Sequence, residues 1–302
     1  MFDYLIISLA VLCFVAQFVF TKCYEGAVKQ TLITTLVMLV VTSFFGMALY
    51  LFVGGFRIHF SPISFIWAIL FAILMIPYYT VGIKVISLGS LAMYSMFMML
   101  GGMLVPFFYG IIFLQEEITV CKIIGTVFMS LFIVLQAVWA DDSGEKNRAK
   151  NNKYIFFALC LVIFFLNGST GVIAKAHQMS SGAIDEISFT IIACGLNFIF
   201  SIVLLVIVLL KNTKEKIVEV KSALRIRPII IMALIGMSAH TGNFLHLKVA
   251  SNVPASVQFP LVSGGVILIS AISSVLIFKE KNSFKEWLSV IGAFLSTVLF
   301  AF

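Results

Sequence analysis

Residues 185–211 read DEISFTIIACGLNFIFSIVLLVIVLLK, and no charged side chain lies between Glu186 and Lys211. A helix rising about 1.5 Å per residue needs about 20 such residues to cross a hydrocarbon core about 30 Å thick. In lipid every backbone polar group needs an internal partner, so a single segment crosses as a helix. The whole chain has the same character. Of its 302 residues 62% are hydrophobic and 11% charged, with a mean hydropathy of +1.14. A soluble domain is about half apolar and about a quarter charged, so these few charges cannot cover a water-facing surface. The 31 Phe, 13 Met and 20 Gly suit lipid-facing surfaces and close helix packing. The run Phe2–Thr21 lacks the basic start and small-residue cleavage site of a signal peptide, and reads as the first span.

Apolar runs between polar breaks predict spans at 4–21, 30–53, 62–83, 89–114, 119–139, 153–175, 185–211, 228–248, 253–278 and 284–301. The expected fold is an all-α membrane protein with ten transmembrane helices. All but four of the 20 Lys and Arg residues lie in loops after odd-numbered spans; the exceptions are Arg57, Lys122, Lys175 and Lys248. By the positive-inside rule those loops face the cytoplasm, which makes both termini extracytoplasmic. The same bias accounts for the net charge of +7 without nucleic acid as a partner. The five Cys (13, 23, 121, 160 and 194) form neither a disulfide framework nor a metal-binding spacing, and no cofactor is implied.

The polar stretch ADDSGEKNRAKNN, residues 140–152, divides the chain into segments 1–139 and 153–302. Residues 84–135 align with 248–299 without a gap, pairing Lys84 with Lys248, Ser87 with Ser251, Gly101 with Gly265 and Glu116 with Glu280. Near the segment starts, AQFVFTK (16–22) matches STGVIAK (169–175). Five spans per segment is an odd number, so the second five-helix repeat is inverted relative to the first. Two inverted five-helix repeats with a substrate held near the midplane are a recurrent plan of secondary transporters.

In the order GIKVISLGS (82–90), FLQEEIT (113–119) and IIG (123–125), then HLKVASNVPAS (246–256) and IFKEKNS (277–283), the chain resembles the drug/metabolite transporter superfamily, ten-helix EamA type. The resemblance covers essentially the whole chain. It implies transport of a small metabolite, commonly export, across the cytoplasmic membrane by alternating access, through a cavity lined by spans 1–4 and 6–9. Spans 5 and 10 would serve as scaffold or homodimer contacts. Members of that type usually keep both termini in the cytoplasm, whereas the charge distribution here puts them outside.

All 13 acidic residues fall at span ends or in loops. The small multidrug pumps of the superfamily use a Glu within the first span, where this chain has Gln17. A carboxylate-driven exchanger is therefore disfavoured. The polar residues at depth are neutral or weakly basic. Candidate substrate-binding residues are Gln17, Asn167 and Thr170 in spans 1 and 6; Tyr79, His240 and Asn243 in spans 3 and 8; and Tyr94 and Gln258 in spans 4 and 9. They recur at equivalent repeat positions: Gln17 with Thr170, Tyr79 with Asn243, Tyr94 with Gln258. Bonding between helices is the competing role for each. Pro77, Pro254 and Pro260, with Gly101, Gly102, Gly264 and Gly265, are candidate hinges, or in the case of the glycines close-packing positions. Glu116 and Glu280 read as structural turns before the N-caps Thr119 and Ser283. A non-transporting membrane subunit is the alternative, though the loops are too short to read a signal. An intramembrane enzyme would need an H-E-x-x-H, G-x-S-x-G or paired-Asp constellation, and none occurs.

Overall fold

The structure, a computed structural model, describes residues 2–115, 119–139, 150–210, 214–249, 253 and 255–300. Eleven helices and no strand occur among these residues: α1 (Phe2–Ala27), α2 (Leu32–Val53), α3 (Pro62–Leu88), α4 (Leu91–Leu114), α5 (Val120–Trp139), α6 (Lys150–Gln178), α7 (Glu186–Leu210), α8 (Lys214–Ala223), α9 (Ile226–Val249), α10 (Ala255–Phe278) and α11 (Phe284–Phe300). Predicted spans 1–7 are α1–α7, and spans 8–10 are α9–α11. Eight of these helices, α1–α4, α6, α7, α9 and α10, are long and apolar enough to cross a membrane. The chain is thus a multi-pass, all-helical protein suited to a bilayer. The shortest of the ten apolar helices are α5 and α11, at 20 and 17 residues.

α3 and α6 run past their predicted ends, to Leu88 and Gln178, and two further differences from the hydropathy reading bear on packing. α1 continues past the predicted residue 21 to Ala27, because Tyr24 is buried there and donates its hydroxyl proton to the Thr34 carbonyl at 2.7 Å. The charged segment before α9, predicted as loop, is helical over Lys214–Ala223. Its charge density masks one inward face: Ala223 is fully buried with Tyr24, Met38 and Met232, and Val220 packs on the same cluster. Thr119 and Ser283 do cap helices, accepting from the Lys122 and Glu286 amides at 3.4 and 3.3 Å. Glu280 has a second task, since its carboxylate accepts from the Leu91 amide at the start of α4. Glu116, residues 140–149, Ser251 and Pro254 lie outside the described residues.

The chain groups into two compact units. One, here the first unit, comprises Met1–Val19, Val85–Gly171 and Gly242–Phe302; the second comprises Phe20–Lys84 and Val172–Thr241. Each therefore combines α-helices from both sequence segments.

In the first unit α4 meets α6 at glycine: a Cβ at Gly101 would collide with the Phe164 backbone carbonyl. α11 is built inside out. It buries Ser289, Val290, Ala293, Ser296 and Thr297, and exposes Ile291, Leu295 and Leu299. Small residues inward and large aliphatics outward are what helix packing in lipid favours. α5 shows the same outward pattern with Ile123, Val127 and Leu131 exposed, and its Phe132 ring covers Gly292 of α11. The faces of α5 and α11 are thus turned to each other within one chain.

Candidate functional site

Polar residues spaced three or four apart share one face of a helix. On α2 this gathers Thr42, Ser43, Gly46 and Tyr50; on α7 it gathers Asn197 and Ser201. In the second unit these meet His240 of α9. Asn197 Nδ2 donates to Ser43 Oγ at 2.7 Å, with both side chains buried. The His240 ring fills the notch left by Gly46 and hydrogen-bonds the Thr42 backbone. The Tyr50 ring stands edge-on to it at 5.8 Å, and the Tyr50 hydroxyl donates to the His240 carbonyl at 3.3 Å.

Two atoms of this cluster stand out. Asn197 Oδ1 and Ser201 Oγ are buried without a hydrogen-bond partner. An orphaned buried polar group costs about 1–3 kcal/mol, so two of them one helical turn apart call for a role. Together with Ser43 they offer neutral donors and acceptors to a polar solute, and no fixed charge.

The remaining predicted residues divide unequally. Tyr79 belongs to the second unit, edge-on to Tyr78 at 5.1 Å and packed on the Tyr24–Met38 core. The other six lie in the first unit. Gln17 is buried beside Phe18, whose ring is edge-on to Tyr94 at 5.3 Å. Asn167 Nδ2 donates to the Met98 carbonyl at 2.6 Å, and the Thr170 hydroxyl donates to the Asn167 carbonyl of its own helix. Gln258 is 1% exposed and donates to the His246 carbonyl at 2.5 Å. Asn243 is exposed. Asn167 thus bonds across to the α4 backbone, while Thr170 bonds within α6.

Of the candidate hinges, Pro77 and Pro260 lie inside continuous helices. Gly101 and Gly102 receive α6, through Phe164 and the Asn167 side chain. Gly264 receives Thr297, and Gly265 packs on Val11. Gly265 also lines an open apolar groove of about 320 Å³ between α1 and α10, which none of the eight candidate substrate residues touches.

A third polar set went unread in the sequence. His177 is 1% exposed, stacked on Phe189 at 4.0 Å, with Nε2 2.9 Å from Ser64 Oγ. Ser64 Oγ also accepts from the Ile184 amide, and Trp67 Nε1 donates to Ser180 Oγ. The Ser64–His177 distance suits a nucleophile and its base, but burial and the Ile184 bond make it a clamp between α3 and the α6–α7 turn. Beside it Asp185 caps α7 by accepting from the Ser188 amide, while His59 Nδ1 approaches Asp185 Oδ2 at 2.7 Å. Burial raises the Asp185 pKa, but the Ser188 and His59 hydrogen bonds outweigh it and hold the carboxyl below its ordinary value. Sequence hides these contacts because Ser64 and His177 are 113 positions apart. Only Asp185, three residues before Ser188, carries a local signal, that of an N-cap.

No family model and no curated protein matches the chain. Among solved structures 25 chains match. One, titled only "Crystal structure of protein", has a TM-score of 0.55 at 13% identity, over 98% of this chain and 95% of that one. At that identity the likeness shows a shared fold.

Proposed function

We propose that the chain is a secondary carrier of the drug/metabolite transporter kind. It would carry ten transmembrane helices in two inverted five-helix repeats. By alternating access it would move a small polar or amphipathic metabolite across the cytoplasmic membrane, in the export direction. The observation that carries this reading is the polar cluster of buried Ser43, Asn197 and Ser201 with half-buried His240, in which two polar atoms are left unpartnered. Ionisable and polar groups held at membrane depth mark substrate paths, and the described residues are mostly those of the eleven helices.

Three further points support it. Each compact unit takes equivalent helices from both sequence segments: α4 and α5 with α10 and α11, α2 and α3 with α7 and most of α9. The boundary cuts α1 after Val19 and α6 after Gly171, close to the pair that the repeat alignment makes equivalent. The inside-out pattern of α5 and α11 favours counting both as spans despite their length. Extracytoplasmic termini follow from the distribution of Lys and Arg.

The test is solute movement. Proteoliposomes loaded with a metabolite extract and diluted into buffer should release at least one solute faster than protein-free liposomes. His240→Ala and Asn197→Leu should slow that release at least tenfold, while the proteins remain monodisperse. Release identical to that of protein-free liposomes for every solute would exclude the carrier reading. Unchanged release by both variants would remove the cluster from the path.

A further inference from the structure

α8 joins the end of α7 at Leu210 to the start of α9 at Ile226, and both neighbours are candidate spans. A short helix held between two such ends lies at the membrane–water boundary. Its two faces divide cleanly. Lys216, Glu219, Val220 and Ala223, at i, i+3, i+4 and i+7, face the protein. Lys216 Nζ donates to the Val208 carbonyl at 2.9 Å, in the last turn of α7. The Glu219 carboxylate accepts from Thr31 Oγ1 at 2.9 Å and lies 3.7 Å from Lys29 Nζ. Val220 and Ala223 enter the core.

The opposite face repeats the same spacing with Lys214, Ile217, Val218 and Lys221, all exposed. Arg225 and Arg227 are exposed just beyond, alternating with Leu224 and Ile226, which are 50% and 74% exposed. Glu219 is engaged on the inner face, so Glu215 is the one carboxylate of α8 on the exposed side. Exposed aliphatics flanked by cations on one face of a helix match an interface whose outer layer is anionic and whose inner layer is hydrocarbon. The long cationic side chains can reach phosphates while their stems stay on the apolar surface.

We propose that α8 and the adjoining Arg225 and Arg227 form a docking surface for anionic phospholipid headgroups, with Ile217, Val218 and Leu224 set into the acyl boundary. This rests on reading α7 and α9 as spans and does not require that the protein transport anything. Each cation near an anionic leaflet strengthens the attraction about fivefold, an effect that salt screens.

The test uses the full chain purified in neutral detergent, offered phosphatidylglycerol or phosphatidylcholine, with retained lipid counted by native mass spectrometry. Wild type should retain phosphatidylglycerol at least tenfold more strongly, with the preference falling as salt rises. The combined variant Lys214→Gln, Lys221→Gln, Arg225→Gln, Arg227→Gln should lose that preference. Its thermal unfolding in neutral detergent should match wild type, since all four side chains are exposed. Lys221→Gln alone should lose part of the preference. A control, Lys279→Gln with Lys281→Gln and Lys285→Gln, should leave it intact. Three results would overturn the proposal: a preference kept by the fourfold variant, one lost equally in the control, or glycerol phosphate without acyl chains competing as well as the intact lipid.

Discussion

The α4–α6 contact of the first unit and the α2–α7–α9 contact of the second solve one problem by different chemistry. Lipid gives helices little hydrophobic reason to associate, so they join by close packing or by polar bonds. Gly101 takes the first route, bringing the α6 backbone against α4. The second unit takes the other, with Asn197 bonded to Ser43 and His240 seated over Gly46. Close backbone packing leaves no room to rearrange. A cluster with unpartnered polar atoms can exchange partners at little cost. One contact is suited to rigidity and the other to binding and release.

The largest effect should come from breaking the glycine contact. Gly101→Leu must displace the Phe164 backbone, which overpacking figures place at about 3 kcal/mol; thermal unfolding in detergent would show a large fall or no folded protein. A variant as stable as wild type would mean α4 and α6 do not approach so closely. Next, His177→Ala should cost about 2–3 kcal/mol by leaving a cavity on Phe189 and removing one of the two partners of Ser64 Oγ, which keeps the Ile184 amide. Asn167→Ala should cost about 1 kcal/mol through the lost bond to Met98.

Asn197→Leu sharpens the contrast. It loses the bond to Ser43 but also removes an amide oxygen that is already unpartnered, so the two effects offset and stability should change by no more than about 1 kcal/mol, while solute release falls at least tenfold. A loss as large as that of Gly101→Leu would make the two contacts alike. The smallest effect is electrostatic. The folded Asp185 pKa is depressed, so its stabilisation is complete above the ordinary carboxylate range and is lost as pH falls through about 4 and below. Asp185→Asn keeps an N-cap and should differ from wild type by a few tenths of a kcal/mol at neutral pH, a difference that vanishes in acid. A constant difference across that pH range would assign Asp185 no charge-dependent role.

The helices were legible because hydropathy over about 20 residues is a local property: each of the ten predicted spans coincides with a helix. α8 was not, because four apolar-facing or engaged side chains are diluted among cations in sequence and separate only when the helix forms. His240 stood out as an imidazole near mid-span, with Asn243 and His246 on the same side of the helix. Its surroundings did not, because Gly46, Thr42 and Tyr50 lie some 190 positions away along the chain. Asn197 and Ser201 looked like ordinary span residues, and only their burial without partners distinguishes them.

The central claim is that the polar cluster around Asn197 and His240 forms part of a solute path, and release from metabolite-loaded proteoliposomes tests it most directly. The account predicts at least one solute that wild type releases and that both His240→Ala and Asn197→Leu release at least tenfold more slowly while folded. It is contradicted if wild-type proteoliposomes release nothing beyond protein-free ones, or if both variants match wild type.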